Sequence, residues 1–72
     1  MSILDIDKKE FAEIRIHLKL SPPELASLLG VSRSTVNRWE NGERAIPRLV
    51  SLVMRAADKK PDILQTLYKL AN

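Results

Sequence analysis

The residues best suited to chemistry lie in one stretch, Ser21 to Gly42, which reads SPPELASLLGVSRSTVNRWENG. Its spacing fits two short helices around a tight turn. With Val36 and Trp39 on its inward side, the second helix leaves Arg33, Ser34, Thr35, Asn37 and Arg38 for solvent or a ligand. Guanidinium, hydroxyl and amide groups donate and accept hydrogen bonds, and none here is a nucleophile with a base beside it. This is chemistry for binding. The rest of the chain offers catalysis no better footing. His17 is the only histidine and lies among charged neighbours, which places it at the surface or the boundary. Cysteine is absent, and Asp7 suits a helix cap better than a partnership with Asp5. There is no glycine-rich phosphate loop and no run with metal-ligand spacing. The chain reads as no enzyme, with no cofactor and no metal.

The charge pattern points to the partner. Net charge is +3 and the pI is about 9.6. Residues 1–13 hold Asp5, Asp7, Glu10 and Glu13 against Lys8 and Lys9. From Ser32 to Arg48, the bases Arg33, Arg38, Arg44 and Arg48 outnumber Glu40 and Glu43. An acidic start and a basic middle suit a protein that turns one face to a polyanion. Charge alone fits a solvated surface of mixed sign equally well.

These side chains need elements to hold them. The chain has 72 residues, which is one small domain, and 44% of them are apolar. The only aromatics are Phe11, Trp39 and Tyr68, so the core must come from Leu, Ile, Val and Ala, as in packed helices. Without cysteine no disulfide staples the fold, and small domains of this kind often gain stability by pairing. No apolar run approaches the roughly 20 residues of a membrane span, and no signal peptide is apparent. The expected location is cytoplasmic.

A first helix opens at Asp7, with Asp7 and Glu10 at capping-box spacing and Phe11, Ile14 and Leu18 as its buried stripe; it ends near Leu18 or Lys19. A second starts at the cap Ser21, with Pro22 where a proline does no harm and Glu24 completing a box. It turns Leu25, Leu28 and Leu29 inward and stops at Gly30. A third starts after Ser32 and ends at Asn41-Gly42. A fourth spans about Pro47 to Asp58 and is apolar nearly all round, as in a helix buried on several sides. Lys59-Lys60-Pro61 breaks the chain before a fifth, about Pro61 to Leu70. The levels agree on a single all-helical domain over 1–72.

From Leu20 to Pro47, the string LSPPELASLLGVSRSTVNRWENGERAIP resembles the helix-turn-helix of phage repressor and Cro-type, Xre-like regulators. The elements that match are Leu20-Ser21, Glu24-Leu25-Ala26, Leu29-Gly30-Val31-Ser32, Ser34-Thr35-Val36, Trp39-Glu40, Gly42 and Pro47. The resemblance implies an all-α fold, a compact bundle of about five short helices of the lambda-repressor-like kind. Helices two and three would form the motif at about 21–42, and the recognition helix, about 33–41, would enter the major groove. The implied function is a sequence-specific regulator of transcription on double-stranded DNA, a repressor acting as a dimer on a near-palindromic operator.

Residue roles carry over from the resemblance. Arg33, Ser34 and Arg38 fall where the family's principal base-reading side chains lie, and Asn37 is a secondary reader. An arginine paired to guanine O6 and N7 supplies roughly 1–3 kcal/mol of discrimination. Ser32, Thr35, Asn41, Arg44 and Arg48 look like phosphate contacts, which position the protein. For Arg44 and Arg48 a solvated helix residue is an equal reading. Arg15 and Glu40 match a pair that forms a buried salt bridge in many relatives, Ala26 is small where helix two crosses helix three, and Trp39 is a core plug, not a base-stacking residue.

Three positions depart from the family pattern. Pro22 stands where a glutamine commonly touches phosphate, and it also removes a backbone donor. Lys19 stands where glycine usually closes the first helix. Glu43 lies beside the expected phosphate path. Together they imply modest affinity for one domain. A homodimer through helices four and five is expected, although Leu52, Val53 and Leu64 read better as monomer core. A second reading is an antitoxin that represses its own operon. In it Ile3, Leu4 and Ile6, or the last helix, would grip a toxin protein. It rests on the likeness of Lys60-Pro61-Asp62-Ile63-Leu64 to terminal segments of short antitoxins.

Overall fold

Helix starts in this chain are set by side chains that take over the unpaired N–H groups of a first turn. The computed structural model describes residues 5–71, and over them the chain forms α1 (Lys8–His17), α2 (Pro22–Leu29), α3 (Arg33–Asn41), α4 (Arg48–Lys59) and α5 (Asp62–Ala71). Asp7 caps α1 by accepting from the Glu10 N–H at 2.8 Å. The second half of the expected box is replaced: the Glu10 carboxylate turns to Arg55 on α4, 3.4 Å away. Ser21 and Ser32 cap α2 and α3. Helix α4 has no side-chain cap and starts behind Pro47, whose ring presets φ.

Helix stops are marked by left-handed residues. Gly30 has φ 72° and Gly42 has φ 76°, so each ends its helix without a Cβ penalty. Lys19, one residue past the α1 cap Leu18, has φ 60° and is the one non-glycine at positive φ among the described residues. That conformation costs an L-residue roughly 1–2 kcal/mol.

The core gathers one stripe from each of the first four helices. Phe11 and Ile14 come from α1, Leu25 and Ala26 from α2, Val36 and Trp39 from α3, and Met54 from α4. Ile6, just ahead of α1, is buried in the same cluster. A grip on a toxin through Ile6 is therefore not available; Ile3 and Leu4 lie outside the described residues. Ser51 is also fully buried, and its Oγ accepts the Ile6 N–H at 3.4 Å. Sequence periodicity marks no such role for a serine among leucines and valines. The radius of gyration, 11.3 Å, matches the roughly 11 Å of a folded chain this long.

The expectation for α4 needs correction. Its buried positions are Ser51, Met54 and Ala57, a single stripe. On the opposite side Leu49 is 72% exposed, Leu52 is 39% exposed and Ala56 is exposed as well. Leu52 thus does not complete the monomer core, whereas Val53 and Leu64 are half-buried. The reason is geometric: α1 and α5 flank α4, and nothing in the described residues covers its far side. Ile16, Tyr68 and Leu70 are exposed too.

The two kinds of helix stop predict opposite responses. Gly42→Ala should lower stability by about 1–2 kcal/mol. The added carbon would also sit 3.0 Å from Lys8 Cδ, so that side chain must shift. Lys19→Gly should raise stability, by less than about 1 kcal/mol, because glycine's extra freedom when unfolded offsets part of the relief. Urea midpoints at unchanged m-value measure both.

Candidate nucleic-acid interface

The site is built on α2, the turn Gly30–Ser32 and α3. Ser21 Oγ accepts from the Glu24 N–H at 3.2 Å, and Glu24 Oε1 accepts from the Ser21 N–H at 2.8 Å. The Ser21 backbone N–H, then its side chain, holds the Glu24 carboxyl below the usual carboxylate range. A reciprocal pair of this kind sets where α2 begins and so where its buried face, Leu25 and Ala26, meets α3. At the far end the Val31 N–H reaches the Ala26 carbonyl at 3.0 Å and closes the turn.

Helix α3 is divided cleanly. Val36 and Trp39 are buried, and Trp39 meets Phe11 edge to face, with ring centroids 5.8 Å apart and planes at 74°. The indole Nε1 has no hydrogen-bond partner among the described residues, so Trp39 serves there by bulk and not by polarity. Arg33, Ser34, Asn37, Arg38 and Asn41 are all exposed. At about 100° per residue they fall within one arc of roughly 140°. That face carries two guanidinium groups and no acid.

The one carboxylate within α3 is turned away from it. Arg15 Nε donates to Glu40 Oε2 at 2.6 Å and Arg15 Nη2 to Glu40 Oε1 at 3.2 Å. Arg15 Nη1 donates to the Leu20 carbonyl at 2.8 Å. A single guanidinium thus ties α1, the α1–α2 turn and α3 together through a planar fork. The pair is mostly buried, with the two side chains 15% and 17% exposed.

The remaining sequence-derived positions divide in two. Ser32 Oγ accepts from the Thr35 N–H at 3.1 Å and lies 2.8 Å from Thr35 Oγ1, so both hydroxyls sit together at the start of α3. Arg44 follows the C-terminal end of α3, where its N–H and that of Glu43 fold back onto the Arg38 carbonyl. Arg48 stands apart, at the first position of α4, with its Nε 3.8 Å from Asp5 Oδ1. One further cation stands at the C-terminal end of α3. Lys8 lies across Gly42 and lines a shallow crevice with Arg44. No local pattern signals it, because 34 positions of chain separate Lys8 from Gly42 and only the fold brings them together.

Among the described residues no group of three or more His, Asp or Glu is placed to hold a metal ion, and no helix is long and apolar enough to cross a membrane. A model of the family described as helix-turn-helix matches residues 11–53, more than half of the chain. A search of curated proteins finds no match.

The Arg15–Glu40 tether makes a prediction. Glu40→Ala leaves a largely buried guanidinium without its carboxylate and should cost about 2–3 kcal/mol, less than for a fully buried pair. Replacing both residues by methionine should recover most of that loss, because the net worth of such a pair is near zero. Thermal and urea unfolding of the single and double variants give the comparison.

Proposed function

Because the chain belongs to the helix-turn-helix family of Xre/Cro-like DNA-binding transcription regulators, we propose that it is a sequence-specific repressor that sets α3 in the major groove of a near-palindromic operator as a dimer. The observation that carries this reading is the acid-free outer face of α3. Arg33, Ser34 and Arg38 read base edges, with Asn37 beside them. Ser32 and Thr35 at one end of α3, and Asn41 and Arg44 at the other, contact phosphates and fix the register. Arg48 joins them by exchanging its loose contact with Asp5 for a phosphate. Pro22 at the start of α2 supplies neither a side-chain amide nor an N–H to the backbone, so one domain binds modestly and the second copy is needed.

The dimer uses the uncovered stripe of α4, Leu49, Leu52 and Ala56, continued by Ile63, Leu67 and Leu70 on α5. The α4 part of this stripe lies opposite Ser51, Met54 and Ala57, so pairing through it leaves the fold undisturbed. Two recognition helices would then face half-sites about 34–36 Å apart. No catalytic step belongs to this reading, and its setting is the cytoplasm. The same exposed end of α5, with Tyr68 and Leu70, carries the second reading, an antitoxin whose last helix grips a toxin.

Selection from a random duplex pool tests the proposal. The full chain should enrich a two-fold motif. Arg38→Ala should lose discrimination at one base pair per half-site, worth about 1–3 kcal/mol. Leu49→Glu should reduce the motif to a single half-site by separating the copies. Salt-sensitive binding with no motif, unchanged by Arg38→Ala, would contradict base reading by α3.

A further inference from the structure

Helix α5 leans over the α1–α2 turn and α2 and leaves a groove of about 640 Å³, to whose lining α3 contributes no residue. That volume is in the range of small-molecule sites, roughly 300–1,000 Å³. Leu18, Leu20, Leu28, Pro61, Leu64 and Tyr68 form its apolar walls. Its rim is basic on both sides: Lys19 stands on the α1–α2 turn and Lys69 on α5. Neither lysine is in an ion pair among the described residues. The acid on the rim, Glu24, has its carboxylate engaged by the Ser21 N–H.

From these features we infer that the groove is a binding site for a small amphiphile with an apolar chain and a carboxylate head, and that its occupancy changes DNA affinity. The chain would lie between Leu28 and Leu64, with the head held between Lys19 and Lys69. A second copy of the protein suits the groove poorly, since a two-fold axis there would bring four lysines together. The apolar stripe proposed for pairing, moreover, is centred on a different side of α5: Ile63, Leu67 and Leu70 are centred roughly 110° around the helix from Leu64 and Tyr68.

The wall of the groove is wired to α3. Lys19 is held at φ 60°, a conformation strained for an L-residue and imposed on it by the surrounding turn. The next residue, Leu20, gives its carbonyl to Arg15 Nη1, and the same guanidinium holds Glu40 of α3. A ligand that moves the Leu18–Leu20 segment therefore acts on the group that orients the recognition helix. This effect on DNA rests on the DNA-reading proposal above; the binding itself does not.

The test is titration of the ¹⁵N-labelled full chain with octanoate, with octanol as the uncharged control. Octanoate should give saturable shifts at Leu18–Leu20, Ser27–Leu28 and Leu64–Lys69, and octanol should bind about fivefold or more weakly. The double variant Lys19→Gln with Lys69→Gln should bring octanoate down to the level of octanol and leave octanol unchanged. Equal binding of the two compounds by the unaltered chain, shifts centred on Leu49 and Leu52, or no saturation would overturn the site. DNA affinity measured with and without octanoate tests the coupling, and DNA must change octanoate affinity by the same factor. Unchanged DNA affinity at saturating octanoate would overturn the effector role. A chain that binds DNA but not octanoate sinks the groove and leaves the DNA reading intact; one that binds octanoate but not DNA does the reverse.

Discussion

The structure depends on how one polar helix is held by two apolar side chains. Helix α3 has nine residues, and only Val36 and Trp39 are buried. Trp39 carries most of that area, and its edge-to-face packing on Phe11 couples α3 directly to α1. Aromatic pairs of this geometry add roughly 0.5–1.5 kcal/mol beyond the area they bury. With so narrow an apolar footing, the rest of α3 is free to be polar. That freedom lets Arg33, Ser34, Asn37, Arg38 and Asn41 share one outer arc without weakening the core.

A narrow footing leaves orientation to be settled by other means, and Arg15 supplies it. Burial is non-directional, so Val36 and Trp39 alone would hold α3 down without fixing its rotation. The guanidinium fork does fix it, because two bonds to Glu40 and one to Leu20 must be satisfied in one plane. The same contact turns the acid of α3 away from the helix's outer face. Stability and orientation are thus separated on this helix, with the apolar residues giving the first and the Arg15–Glu40 pair giving the second. Around this centre the acidic N-terminal segment is spent on α4, through Asp5 with Arg48 and Glu10 with Arg55. The charge asymmetry along the chain becomes partly an internal clasp.

Much of this was legible in the sequence because it is local. Caps, stops and the α3 stripe depend on residues three or four apart, and Ser21 with Glu24, Ser32, Gly30 and Gly42 all act within their own turns. What was not legible depends on neighbours distant in the chain. Glu10 leaves its capping role for Arg55, Ser51 is buried to receive the Ile6 N–H, and Lys8 comes to lie over Gly42. The reading of α4 failed for the same reason. Apolar periodicity counts hydrophobic residues but cannot say how many sides neighbours will cover, and here they cover one. The roles expected of the individual α3 side chains rest on resemblance, since exposure alone does not separate a reading arginine from a solvated one.

The most direct measurement is a map of arginine Nε–H and backbone amide shifts as an operator duplex is added to the full chain. The account predicts the largest changes at Arg33, Ser34, Asn37 and Arg38, with the buried Trp39 indole N–H and the Arg15 Nε–H nearly still. Changes centred on α4 or α5, with Arg33 and Arg38 unmoved, would contradict it.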